Sequence, residues 1–437
     1  MPLAHLTRIG LGLGFCGMTL IAACVVPAED DLEHVEQRQE GLTSVASFGT
    51  NPGNLKMYTY SPPGVAAGAP LVVALHGCTQ TAQDYVKAGW NDLADQWKFH
   101  VVYPEQQTSN NNNRCFNWFV DGDITRNAGE MLSIRQMVDQ MKSQYSVDPA
   151  RVFVTGLSAG GAMTTALIAV YPDVFAGGAI MAGIPYRCAT STLDAFSCMS
   201  PGVDKTPAAW GDLVRAAYAG YAGPRPRVSV WQGTTDSTVK PKNMVEIVDQ
   251  WTNVHGIDAT VDASSSVGGA TRSEYRNAAG ETLVESYSIP NMGHGTAIDP
   301  GYAPAGGCGT AGAYILDVNL CSTYQVGVFF GLDEGGGGSS SSSSSASSSA
   351  SSSSSASSSG ASSSSSASSS SSGGGWVCDD TYDANFYHVS EGRAVRCGVG
   401  GSYVCAIGSA QNLGLWNMTQ TWIRQTAAGY YESGQCP

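Results

Sequence analysis

Arg151-Val-Phe-Val-Thr-Gly-Leu-Ser158-Ala-Gly-Gly-Ala-Met163 constrains this chain more than any other stretch. Val152, Phe153 and Val154 form a short apolar run of β-branched and aromatic residues, the pattern of a buried strand. Gly156-Leu-Ser-Ala-Gly160 follows, and an Ala/Met/Leu-rich run to Tyr171-Pro172 then predicts a helix. A strand, a sharp turn and a helix make G-x-S-x-G a nucleophile elbow rather than an ordinary Gly/Ser turn. Gly156 and Gly160 let strand and helix pass closely, and Ser158 is expected to sit strained and exposed at the turn. The N–H of Ala159, at the helix start, points to where an oxyanion would form.

Such an elbow needs a base, an acid and a second oxyanion donor. In α/β-hydrolase order the acid follows the serine and the histidine comes last. Of seven histidines, His294 sits in Asn291-Met-Gly-His-Gly-Thr296, a Gly-flanked loop after a strand and downstream of Ser158, and is the expected base. His100 lies within a strand, His255 at a helix end and His388 in the C-terminal segment. Asp236 follows the strand Arg227–Gln232 in Gly-Thr-Thr-Asp-Ser-Thr-Val, at a strand's carboxyl end, where active-site loops gather. A turn-capping role is its bland alternative; Asp249, Asp258 and Asp262 compete less well, having no strand end immediately before them. His76-Gly-Cys78 ends the first buried strand, Pro70–Leu75, so the Cys78 N–H is the expected second oxyanion donor. The His76 side chain reads as a satisfied histidine propping that loop. Trp118, in Arg114-Cys-Phe-Asn-Trp-Phe119, fits an acyl-chain contact and a core position equally well.

The same alternation continues along the chain. Leu55–Tyr60 reads as an edge strand, Tyr85–Lys98 as a helix, and Phe99–Tyr103 as a strand closed by Pro104. Glu130–Tyr145 has helical spacing of apolar residues, Gly177–Gly183 is strand-like, and Ala208–Tyr218 and Asn243–His255 are helices. Leu283–Ile289 is read as the final strand. Strands alternating with helices predict an α/β-hydrolase fold, a doubly wound and mostly parallel sheet, over 45–333.

Before it, 1–24 resembles a signal peptide: Arg8 precedes an apolar run that ends in Leu20-Ile-Ala-Ala-Cys24, like the lipobox of bacterial lipoproteins. A lipid on Cys24 would be the chain's membrane contact. Residues 25–44 read as a flexible acidic spacer, and 334–375, almost entirely Ser and Gly, as a tether. The unit 376–437 is small enough to need staples. The chain has 437 residues, a formal charge of −14 and 13% charged residues. That balance excludes a nucleic-acid partner, which calls for a basic patch. Ten of the twelve cysteines lie beyond the leader, dispersed, even in number and without metal spacing. They predict disulfides in an oxidising, extracellular setting and no metal. Spacing alone does not fix the partners; we expect Cys78–Cys115, Cys188–Cys198, Cys308–Cys321, Cys397–Cys405 and Cys378–Cys436. No cofactor motif is present, and a monomer is expected.

With these residues in view, the catalytic unit resembles the polyhydroxybutyrate depolymerase family of secreted esterases, close to carbohydrate esterase family 1. The similar segments include His76-Gly-Cys-Thr-Gln80, Arg114–Phe119, Val154–Met163, Gly183–Cys188, Trp210–Val214, Trp231–Asp236, Gln250–Val254 and Met292–Gly295. The resemblance implies Ser158, Asp236 and His294 as a triad. Gly309–Val318, Cys321-Ser-Thr-Tyr324 and Phe329–Leu332 resemble a depolymerase-type ending. This favours hydrolysis of short-chain polyhydroxyalkanoate, an insoluble polyester, to 3-hydroxybutyrate and its oligomers. The alternatives are a feruloyl or acetylxylan esterase, and a non-catalytic polymer-binding surface protein. The C-terminal unit resembles small modules attached to secreted depolymerases and polysaccharide-acting enzymes. Its aromatics, Trp376, Tyr382, Trp416, Trp422, Tyr430 and Tyr431, suit adsorption to a solid or a small core of their own.

Overall fold

The computed structural model describes residues 41–333, 379–384, 393–397, 403–415, 420–427 and 430–433. The leader with Cys24, most of the spacer, the Ser-rich segment and His388 lie outside the described residues. Ten strands form one sheet: β1 Thr43–Val45, β2 Lys56–Tyr60, β3 Leu71–Leu75, β4 His100–Glu105, β5 Val152–Leu157, β6 Gly177–Met181, β7 Arg227–Gly233, β8 Ala263–Val267, β9 Ala270–Arg276 and β10 Thr282–Ile289. Their spatial order is β1-β2-β4-β3-β5-β6-β7-β10-β9-β8. The six central strands, β4 to β10 in that order, run parallel. Antiparallel strands finish both edges.

The sheet is wound on both faces, as the continuous apolar runs require. Along β3 the side chains alternate between two cores. Leu71, Val73 and Leu75 pack with the helices Gly129–Tyr145 and Ala159–Val170. Val72 and Ala74 pack with the helices Trp90–Trp97 and Ser322–Phe330. This doubly wound α/β sheet is the expected fold, and it puts the carboxyl ends of β3, β5, β7 and β10 along one rim.

Several boundaries differ from expectation, each for a tertiary reason. Thr43 and Ser44, read as the end of the spacer, pair with Thr59 and Tyr58 and cover β2, so β2 is not the edge. The helix expected over 85–98 is two helices, Ala82–Val86 and Trp90–Trp97. Gly89 divides them with φ +90°, and a Cβ there would lie 2.7 Å from the Gly309 nitrogen. β4 continues through Pro104 because β3 leaves it after Val102, so the proline's missing N–H needs no partner on that side. β8 and β9 were not read as strands: β8 is Ala-Ser-Ser-Ser-Val, mostly exposed at the edge. Nor is β10 the last strand, since β11 Thr296–Ile298 and β12 Ile315–Asp317 pair in parallel beyond it.

Near the C-terminus, β13 Asp379–Ala384, β17 Gln420–Ala427 and β18 Tyr430–Ser433 form one antiparallel sheet. β14 Ala394–Cys397, β15 Tyr403–Ala406 and β16 Asn412–Leu415 form another. Ala394, Ala406, Leu413 and Ile423 make a small core, against which Tyr431 packs while Tyr430 is exposed. Tyr431 therefore serves the core. Trp376 and Trp416, and the side chain of Tyr382, lie outside the described residues.

Candidate active site

β5 ends in the elbow. Its six residues are buried, and Ser158 follows with φ +57° and ψ −116°, a conformation that L residues rarely adopt and that costs about 1–3 kcal/mol. Its N–H donates to the Met181 carbonyl at the end of β6 at 2.9 Å. The flanking glycines are required by contact rather than by φ: a Cβ on Gly156 would lie 2.4 Å from the Gly160 carbonyl oxygen, and one on Gly160 2.4 Å from that of Leu75. Ser158 is strained as expected but is not exposed; it is 9% accessible and lies in the wall of a narrow cleft.

That cleft, with an interior of about 40 Å³, is lined by Ser158, Ala159, Gly77, Cys78, Trp118, His294 and Tyr314, with Leu157, Ile184, Met199 and Val239 supplying apolar wall. The structure thus brings Ser158, His294 and both expected oxyanion residues to one place from three separated segments. Ala159 opens the helix Ala159–Val170, so its N–H carries the positive end of the helix dipole. Among the described residues no acceptor engages the N–H of Ala159 or of Cys78, and both remain available to a ligand.

His294 and Asp236 meet at 2.7 Å, Nδ1 to Oδ2. Asp236 is buried, 2% accessible, and every lone-pair direction has a donor. Gln232 Nε2 donates to Oδ2 at 2.9 Å. The Thr238 and Val239 amides donate to Oδ1 at 2.8 and 2.9 Å. The turn amides thus cap one oxygen of Asp236 while the other bonds the His294 imidazole. Asp249, Asp258 and Asp262 do not line the cleft. Gln232 was not singled out from the sequence; its place four residues before Asp236 at a strand end was the available signal.

Further contacts fix the loop that carries Cys78. His76 is fully buried; its Nε2 accepts the Gln106 N–H at 3.1 Å, which puts the ring proton on Nδ1, donating to the Gly77 carbonyl at 2.7 Å. Burial pushes its pKa down to about 4, so it is a neutral prop, as read. The Cys78–Cys115 disulfide ties this loop to the Trp118 segment, and the Thr79 N–H donates to the Asn113 carbonyl at 2.6 Å. Beneath that segment the Gln106 side-chain amide donates to Glu130 Oε1 at 2.5 Å and to the Cys115 carbonyl at 3.2 Å. The Asn117 N–H donates to Glu130 Oε2 at 3.0 Å. Burial, with the nearby Asp123 charge adding to it, pushes the Glu130 carboxyl up to about 8. Trp118 is 6% accessible, a member of the larger core and also part of the cleft wall.

Three expected disulfides are present: Cys78–Cys115, Cys188–Cys198 and Cys308–Cys321. Cys405 is also disulfide-bonded; Cys378, Cys436 and the side chain of Cys397 lie outside the described residues. Among the described residues no group of His, Cys, Asp or Glu could hold a metal ion.

Comparison with known proteins agrees with this geometry. Residues 55–277 match the family model described as esterase PHB depolymerase, a span that holds Ser158 and Asp236 and stops before His294. The chain is 62% identical over 291 residues to poly(3-hydroxyalkanoate) depolymerase C of Paucimonas lemoignei, covering 67% of this chain and 70% of that protein. It is 40% identical over 263 residues to an acetylxylan esterase of Coprinopsis cinerea, covering 58% and 69%. Among solved structures, acetyl xylan esterase from Aspergillus awamori superposes with a TM-score of 0.57 at 28% identity, covering 67% of this chain and 99% of that one. The mostly parallel sheet, the elbow and these relatives together establish that the chain belongs to the PHB depolymerase esterase family and is a serine ester hydrolase of α/β-hydrolase fold.

Proposed function

We propose that this ester hydrolase acts outside the cell on short-chain poly(3-hydroxyalkanoate), releasing 3-hydroxybutyrate and its oligomers. The observation that carries the reading is the 62% identity to a poly(3-hydroxyalkanoate) depolymerase, against 40% to an acetylxylan esterase. The cleft supports it, being narrow and walled by Leu157, Ile184, Met199 and Val239, as a short apolar hydroxyacyl unit needs.

In this reading Ser158 Oγ attacks the ester carbonyl while His294 Nε2 takes its proton and passes it to the leaving alcohol. Asp236, 2.7 Å from Nδ1, holds the imidazole in the tautomer that leaves Nε2 free, and stabilises its positive charge when it forms. The Ala159 and Cys78 amides stabilise the tetrahedral oxyanion, each worth about 10²–10³ in rate where such a donor is removed. Water then deacylates Ser158 with His294 as base. The reading needs no cofactor.

The rest of the chain fits a catalyst working on a solid. We take 1–24 as a secretion signal with a lipid site at Cys24, 43–333 as the catalytic unit of a monomer, 334–375 as a tether, and 376–437 as an adsorption module. Tethering raises the local enzyme concentration at the polymer without new contacts in the active site. The test is a substrate panel of poly(3-hydroxybutyrate) suspension, acetylated xylan, feruloylated xylan and short soluble esters, run on the wild type and on Ser158→Ala. Clearing of the suspension by the wild type alone is expected. Release of acetate or ferulate from xylan with no clearing would overturn the polyester reading, and unchanged ester turnover by Ser158→Ala would overturn the serine assignment.

A further inference from the structure

Tyr314 stands in the cleft wall beside the expected base, in a segment to which the proposed reaction assigns nothing. Its ring meets that of His294 edge-on, with centroids 5.9 Å apart and planes at 73°. Its backbone has φ +61°, a region that a side-chain-bearing residue keeps only where the surroundings over-determine it. They do so here. The Thr296 N–H donates to the Tyr314 carbonyl at 2.9 Å, and β11 and β12 pair in register from Thr296 and Ile315 onward. A Cβ on Gly295 would lie 2.8 Å from the same carbonyl oxygen, so the His294 loop and the Tyr314 backbone are packed directly together. On the other side, Gln80 accepts the Gly77 N–H at 2.8 Å and donates to the Ala313 carbonyl at 2.8 Å. One buried side chain thereby links the residue before Cys78 to the residue before Tyr314. The Cys308–Cys321 disulfide and the Thr310 N–H bond to the Lys87 carbonyl at 2.9 Å hold the remainder of the segment.

The direction of the chemistry says what lies against this ring. In acylation a bond forms from Ser158 Oγ to the carbonyl carbon and the Ser158 proton moves to His294 Nε2. The bond from that carbon to the alkoxy oxygen then breaks, and the departing oxygen takes the proton back from Nε2. The leaving oxygen therefore departs on the His294 side, where the Tyr314 ring stands 5.9 Å from the imidazole, centroid to centroid. In a polyester the group that oxygen carries is the next hydroxyacyl unit of the chain. We infer that Tyr314 is a specificity-determining residue that receives the alcohol-side unit of the scissile ester, positioned by Gln80 relative to the oxyanion loop. The inference rests on the polyester reading above.

The test compares two bonds with the same acyl group and different leaving groups: the ester of methyl 3-hydroxybutyrate, and the internal ester of the linear 3-hydroxybutyrate dimer methyl ester, with products resolved by chromatography. The quantity read is the ratio of kcat/KM for the internal bond to that for the methyl ester. Both values come from one protein sample, so any misfolded fraction cancels. The wild type is expected to favour the internal bond, and Tyr314→Ala to lower the ratio roughly tenfold, the scale of a lost apolar contact in a pocket. Tyr314→Phe, which keeps the ring, is expected to retain the wild-type ratio. A ratio unchanged in Tyr314→Ala, or one lowered equally in Tyr314→Phe, would overturn the ring contact. A wild type that clears polymer but shows no preference between the bonds overturns this inference and leaves the polyester reading standing; a wild type that does not clear polymer removes that reading and this inference with it.

Discussion

Asp236 Oδ2 accepts from two side chains at once, His294 Nδ1 at 2.7 Å and Gln232 Nε2 at 2.9 Å. Gln232 also donates to the Val239 carbonyl at 3.0 Å, so the turn that carries Asp236 is closed by the residue that steadies its carboxylate. Asp236→Asn keeps the volume but offers an amide N–H2 where an acceptor is needed, either to Nδ1 or to the Thr238 and Val239 amides. Replacing an orienting carboxylate by its amide costs about 10⁴ in kcat. We expect a loss of that order for a short soluble ester, measured by initial rates; a loss below tenfold would remove Asp236 from the reaction.

Ser158 sits at φ +57°, where glycine carries no Cβ penalty. Ser158→Gly should therefore abolish ester turnover while raising the melting temperature. Relief of about 1 kcal/mol net corresponds to a rise of roughly 2–4 °C for a domain of this size. Thermal unfolding of Ser158→Gly and Ser158→Ala side by side checks the cause, since only glycine relieves the backbone. Equal melting temperatures would mean the elbow stores no strain.

Gly160 shows the opposite case. A Cβ there would press on the backbone oxygens of Leu75 and His76 at 2.4 and 2.6 Å, and neither β3 nor the oxyanion loop can move without disturbing Cys78. Gly160→Ala should lower stability by several kcal/mol, about 3 or more, and the soluble yield with it. A variant that melts within 2 °C of wild type, with 2 °C taken as about half a kcal/mol, would show that strand and helix can separate.

Acid should destabilise the catalytic unit through two buried histidines. His76 and His255 are both pushed down to about 4 by burial, below the unfolded value near 6.5. The folded state therefore binds fewer protons than the unfolded one between these values. Its histidine-linked stability is complete above about pH 6.5 and is lost as pH falls toward 4. His255 bonds the Pro226 carbonyl at 3.0 Å, a contact that glutamine can replace. His255→Gln should flatten the fall in melting temperature between pH 6.5 and 4, by about one histidine's share, without altering the profile above pH 7. Parallel profiles across that range would contradict the assignment.

The Cys78–Cys115 bridge closes a loop with a sequence separation of 37. Removing both cysteines as serines should lower stability by about 3–4 kcal/mol on the loop-closure scale. Activity should fall further than stability explains, because Cys78 presents one of the two cleft amides. Activity measured well below the melting temperature, with circular dichroism confirming the fold, separates the two effects. Full activity in the folded variant would mean that His76 and Gln80 suffice to hold the oxyanion loop.

Much of this was legible in the sequence because it is local. The elbow needs a buried strand, two glycines and a helix within one short stretch, and each of those preferences is set by neighbouring residues. Asp236 and His294 followed from their places at strand ends, and three disulfide pairings were as expected. The failures are also physical. Gly89 breaks a helix because the backbone of Gly309 presses against it from far along the chain, and β8 is a serine run that becomes a strand only by pairing with β9. Gln80 and Tyr314 carry no local signal of joint action; the Gln80 side chain reaches the Ala313 carbonyl, next to Tyr314, across 233 positions. The sequence by itself determined that Ser158 stands at a strained turn between strand and helix, because sterics within a few residues leave little choice. Only the tertiary structure decided that Gln232 steadies Asp236, that Gln80 bridges Gly77 to Ala313 and that the Tyr314 ring lies beside His294, because those contacts depend on how distant segments meet at one rim of the sheet.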